Sequence, residues 1–152
     1  MIKTPMTKRV STVFIAVIVI FTAFTAISLA SEPAAALDYN FAVKSELVDV
    51  HILKDGSIDI DYTITFKNYG TMDGVDIGLP NRYYDSSTAT AHIEVGGNSY
   101  QPSKIQKSPY TDIGLAVEFT SATQTAISAS GTEFTLYFHV NNPHMVYLNE
   151  LK

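Results

Sequence analysis

Asp49, His51, Asp59 and Asp61 recur at every second position on two neighbouring segments of this chain. Alternation with period two puts them on one face of each segment if both are strands. Oxygen donors at Asp49, Asp59 and Asp61 are of the kind a hard cation such as calcium takes. The plainer reading is a solvated outward face, because no D-x-[DN]-x-[DN]-G loop accompanies them. No cofactor is expected beyond that calcium alternative. His51 with Asp59 is read as a surface pair rather than a catalytic dyad. His139 and His144 flank an Asn-Asn-Pro break, and His139 is expected to point away from the core because Phe138 and Val140 beside it are apolar.

A second group is Arg82, Tyr83, Tyr84 and Asp85, in a stretch without core periodicity. Adjacent loop tyrosines offer contact area with a polar tip, which suits a protein or glycan surface. They serve equally to cover the open end of a β fold. Catalytic signatures are missing: there is no G-x-S-x-G elbow, no H-E-x-x-H and no glycine-rich phosphate loop. The chain is therefore not expected to be an enzyme.

The elements that carry these groups can be read from the apolar pattern. The segment LVDVHILKDGSIDIDYTITF, residues 47–66, is a hairpin. A two-residue Asp55-Gly56 loop would set Ile52 against Asp59 and mix apolar with acidic side chains on both faces. A three-residue loop, Lys54 to Gly56, pairs Ile52 with Ile58, Val50 with Ile60 and Val48 with Tyr62. It also sets Asp49 opposite Asp61 and His51 opposite Asp59, so one face is apolar and the other polar. Gly56 then takes the left-handed position of the loop, where a missing Cβ removes the steric penalty. Upstream, Leu37, Tyr39, Phe41 and Val43 alternate in a different phase from Val48, Val50 and Ile52, which predicts a bulge near residues 45–47.

Further short strands follow at Val75 to Leu79, Ala89 to Val95, Ser99 to Ile105, Leu115 to Phe119 and Phe134 to Val140, with Met145 to Leu148 a last apolar run. TSATQTAISASG, residues 120–131, reads as a small polar connection with at most a weak strand. Short strands at about ten-residue spacing, with no sustained helical period, predict an all-β, antiparallel, immunoglobulin-like β-sandwich.

Charge and composition bound the rest. The chain has 152 residues and no cysteine, so neither disulfides nor a thiolate chemistry are available. From Leu37 onward it carries seven basic against 14 acidic residues, a formal −7, which disfavours a nucleic-acid partner. The first residues are the reverse: MIKTPMTKR is basic, residues 13–27 are apolar, and small residues follow. That order is a secretory signal, with cleavage expected after Ala30 or Ala36. The uncharged run at 10–30 is also near the roughly 20 residues that span a bilayer, so an uncleaved anchor is the alternative. The expected organisation is a signal peptide or anchor over 1–36 and an extracytoplasmic domain over 37–152, secreted or membrane-anchored.

The Val48–Ile52 strand, the Lys54-Asp55-Gly56-Ser57 turn, the Ile58–Phe66 strand and Gly74 to Pro80 together resemble the exported N-terminal domain of a family of predicted bacterial and archaeal membrane proteins of unknown function. In that family an Arg-Asp precedes Ile-Pro, where this chain has Asp76-Ile77-Gly78 before Leu79-Pro80. The resemblance implies a β-sandwich outside the membrane and supplies no activity. The expected function is a non-catalytic cell-surface or secreted module for protein or glycan contacts. Two alternatives stand beside it: a pilin-like subunit keeping its apolar N-terminal helix, and a calcium-binding module or metal-dependent enzyme.

Overall fold

A computed structural model describes residues 39–145. The expected signal or anchor over 1–36 and most of the apolar run at 145–148 lie outside the described residues. Along the chain come β1 (Phe41–Ile52), β2 (Ile58–Asn68), β3 (Gly74–Gly78), β4 (Asp85–Val95), β5 (Asn98–Tyr100), β6 (Lys104–Lys107), β7 (Gly114–Glu118), α1 (Ser121–Ile127) and β8 (Thr132–Asn142). They form two antiparallel sheets, one in the order β1-β2-β8-β4-β5 and one in the order β3-β7-β6.

The hairpin has the expected register. Ile52 faces Ile58, Val50 faces Ile60, Val48 faces Tyr62, Asp49 faces Asp61 and His51 faces Asp59. Leu53 N–H donates to the Ser57 carbonyl at 2.9 Å, closing a loop in which Gly56 has φ 84°. The register shift in β1 falls between Val43 and Ser45, so Lys44 is the extra residue, just before the predicted 45–47. One inserted residue restores Phe41 and Val43 to the face carrying Val48, Val50 and Ile52.

β2 and β8 are the central strands; β2 alternates buried with half-buried residues along its whole length, and β8 does so from Phe134 onward. Their buried side chains meet those of the smaller sheet in one core. Phe66 and Phe134 stack with ring centres 5.1 Å apart, and Phe119, just past β7, meets Phe134 edge-on at 5.9 Å. Ile93, Val117, Leu136 and Val140 have no exposed surface.

Two expectations are corrected, and a third feature is one that the alternation leaves open. The single strand expected over residues 99–105 is two, because Pro102 cannot donate to a ladder and the chain crosses there from the larger sheet to the smaller. The stretch at 120–131 holds a helix: Thr120 caps it, its Oγ1 accepting from Thr123 N–H, while Thr123 and Ile127, one turn apart, are buried. Seven residues are too few to display a helical period in sequence. Third, the apolar face of β1 is not covered. Phe41, Val43, Val48, Val50 and Ile52 are 40–70% exposed, although the matching face of β2 is buried.

The cause of that exposure is the unequal width of the sheets. β3 lies over β2, where Tyr62 OH donates to the Gly78 carbonyl at 3.3 Å, and β6 lies against β4. Three strands opposite five leave β1 with no strand above it.

Candidate functional site

The polar face of the hairpin is built as the sequence predicts, but its partners differ. Asp61 shares a hydrogen bond with His139 Nδ1 at 2.8 Å, and His51 Nε2 lies 3.6 Å from its other oxygen. Asp59, which faces His51 across the ladder, instead accepts from the Asn141 amide at 2.8 Å. The predicted His51–Asp59 pair is thus replaced by His51 and His139 around Asp61. Both β2 aspartates are engaged from the β8 side, whereas Asp49 sits across β2 on β1. Among the described residues no group of three or more histidine, aspartate or glutamate side chains gathers to hold a metal ion. His144, five residues after His139 and past the Asn-Asn-Pro break, lies against the Tyr83 ring at 5.8 Å.

Arg82, Tyr83, Tyr84 and Asp85 do not form one surface. Tyr84 is half-buried, packed on the core, with its hydroxyl 3.4 Å from the Gly114 carbonyl. Tyr83 is exposed, its N–H held by Asn81 Oδ1 at 2.8 Å. Asp85 opens β4 and accepts from Ser87 N–H and Oγ at 2.9 and 2.6 Å, bonds that hold its carboxyl below the usual carboxylate range. Arg82 is exposed.

A concavity lies elsewhere, between the inner face of β1 and β3. It is a groove of about 970 Å³ with a floor that includes Phe41, Val43, Ile64 and Phe66 and a wall formed by Gly74 to Gly78. Its charged lining residues are all acidic, Glu46, Asp73, Asp76 and Glu118. Three of them have neutral partners: Asp73 accepts from Tyr39 OH at 2.6 Å, Asp76 from Ser108 Oγ, and Glu118 from the Gln106 amide. Glu46 alternates with Val48 along β1 and stands on the same apolar face. Burial pushes the Tyr62 phenol up, and the nearby Glu46 carboxylate adds to that.

The wall is also a free sheet edge. Phe119 N–H donates to the Asp73 carbonyl at 2.7 Å and Leu79 N–H to the Ile113 carbonyl at 3.0 Å. Antiparallel ladders alternate, so Val75 and Ile77 bond to β7 while Gly74, Asp76 and Gly78 turn their backbone groups toward the groove. Sequence reasoning found both strands but not the groove. The available signal was that β3 is five residues long, its two end glycines included, against twelve in β1.

Tyr39 seals one end of the groove, and its titration reports on that contact. The hydrogen bond to Asp73, first, and then partial burial raise its pKa from 10.0 to about 12. A phenol whose folded pKa is raised stabilises the fold fully below pH 10.0, and that contribution is lost as pH rises toward about 12. The tyrosinate absorbance of the wild type minus that of Tyr39→Phe is therefore expected to show a step near pH 12. A step at the ordinary tyrosine value would mean the contact is absent in solution.

Comparison with protein-family models, with curated proteins and with solved structures found no match for this chain.

Proposed function

We propose that this chain is a non-catalytic, exported binding module: an immunoglobulin-like β-sandwich held outside the cytoplasmic membrane that makes protein contacts through the groove beside β1. The observation that carries the reading is the uncovered apolar face of β1, where Phe41, Val43, Val48 and Val50 are each at least 40% exposed. Phe41 and Val43 line the groove, and Val48 and Val50 continue the same face of β1 beyond it. Exposed apolar surface gathered on one face is a docking feature, since an isolated soluble domain has reason to scatter it. Among the described residues every buried side-chain nitrogen and oxygen has a hydrogen-bond partner. Export is read from the basic, apolar and small-residue order of residues 1–36. A protein partner suits the groove better than a glycan, because its floor is aliphatic and phenyl rather than hydroxyl-rich.

The test is site-specific photo-crosslinking in intact cells, with the reactive residue placed in turn at Val48, at Tyr83 and at Glu94 on the opposite face. The reading expects a protein adduct from Val48 and none from Glu94. Adducts from Tyr83 alone would move the contact surface to the loop and overturn the groove. Turnover of a substrate by the purified chain, abolished at Asp61 or His139, would overturn the non-catalytic reading.

A further inference from the structure

We propose that the groove is completed by strand addition: an extended segment of a partner protein pairs with the free edge of β3, lays alternate apolar side chains over β1, and sets a lysine or arginine against Glu46. This deepens the docking reading above and rests on it.

The backbone argument comes first. Gly74, Asp76 and Gly78 direct their N–H groups away from β7, and the Gly74 and Asp76 carbonyls do the same. Only the Gly78 carbonyl has a further partner, the Tyr62 hydroxyl. A row of unpaired donors and acceptors on a sheet edge is a template for another strand. A strand beside β3 would stand about 4.8 Å from it and therefore above β1, which has no strand of the smaller sheet over it. Edge pairing and apolar burial are thus satisfied by the same segment.

The side-chain argument fixes its chemistry. Inward positions alternate, so the segment presents an apolar residue above Phe41 and Val43, a second residue above Glu46, and an apolar residue toward Val48. Glu46 has no cation within ion-pair reach and no side-chain hydrogen bond among the described residues. No lysine, arginine or histidine lines the groove, against four carboxylates. A carboxylate closed beneath a new strand without a cation would be costly, so the middle inward residue has to be basic.

Charge also sets aside two other occupants. A second copy adds its own formal −7 from residue 37 onward, and a two-fold pairing of β3 edges places Asp76 opposite Asp76. The residues just upstream of Tyr39, SLASEPAAALD, bring Glu32 and Asp38 and no base.

The experiment uses the full chain and two fluorescein-labelled heptapeptides, Thr-Val-Thr-Lys-Thr-Val-Thr and the same sequence with glutamate at the centre. Anisotropy is expected to show saturable binding of the lysine peptide and at least about tenfold weaker binding of the glutamate peptide. Glu46→Lys, at an exposed position, should reverse that preference, and Glu46→Gln should narrow it. Amide exchange at Gly74, Asp76 and Gly78 should slow on saturation with the lysine peptide. Four results overturn the proposal. Neither peptide binds; the preference ignores residue 46; the slowed amides belong to the outer edge of β1; or the three β3 amides are already protected without peptide. In the last case, dependence on protein concentration would assign the edge to a second copy, and release on deleting residues 1–36 would assign it to the chain itself. Adducts from Val48 in cells together with no peptide binding would leave the docking reading standing and remove strand addition alone.

Discussion

Phe134→Ala is expected to lower the unfolding free energy by about 4 kcal/mol, while Phe41→Ala costs about 1 kcal/mol. The two residues touch the same partner. Phe134 stacks on Phe66 at 5.1 Å, and Phe41 meets Phe66 edge-on at 5.9 Å. They differ in what surrounds them. Phe134 is 2% exposed, is flanked in the ladder by Phe66 and Val95, and is met from the other sheet by Phe119. Removing it opens a cavity that neighbours held on three sides cannot collapse to fill. Phe41 has 45% of its surface in solvent, so truncation forfeits one aromatic edge and little burial. Urea melts of both variants, at unchanged m-value, measure the contrast. Folded domains are stable by only about 5–15 kcal/mol, so Phe134→Ala is the variant expected near the limit of folding. Equal costs at the two positions would mean that Phe41 is covered in solution and that the groove is closed.

That contrast also locates what the sequence could and could not convey. The hairpin register was legible because each face of 47–66 has one character, and a slip of one residue inverts every side chain. The central strands β2 and β8 were legible for the same reason. Alternation, however, states that Val48, Val50 and Ile52 share a face; it does not state what stands opposite. That depends on how many strands each sheet acquires, and the count turned on Pro102, which sends β6 to the smaller sheet and leaves that sheet at three strands. The helix at 121–127 was hidden because its threonines and serine bond locally, Thr125 to the Ser121 carbonyl and Ser128 to the Thr125 carbonyl. Such residues read as loop formers whether or not a cap fixes them in a turn of helix. The aspartates of the polar face were found, but their partners were not, since His139 and Asn141 arrive from 78 and 82 residues away.

Asn68 offers the second large effect, and it bears on the groove from behind. It is 1% exposed at the end of β2, and its amide donates to the Gly70 and Ile127 carbonyls, each at 2.8 Å, while its Oδ1 accepts from Gly70 N–H at 3.1 Å. Ile127 ends α1, where helix carbonyls lack intrahelical partners, so this side chain both caps the helix from outside and shapes the turn leading to β3. Asn68→Ala removes three hydrogen bonds and leaves a buried carbonyl without a donor, an expected loss of about 3 kcal/mol. Asn68→Asp keeps the shape and replaces the two-proton donor with a carboxyl facing two carbonyl oxygens. Only its protonated form can donate, so its folded pKa is expected above the unfolded value of about 3.9. The folded state then binds the proton more tightly, and stability falls as pH rises through that window. The deficit of Asn68→Asp against wild type should therefore grow between about pH 4 and 7, while that of Asn68→Ala stays level. Parallel deficits for the two variants would show that Asn68 does not act as a donor. Because residues 69–73 run from this anchor to Asp73, the Asp variant should also bring the late Tyr39 titration back toward the ordinary phenol range, an effect a local packing defect would not produce.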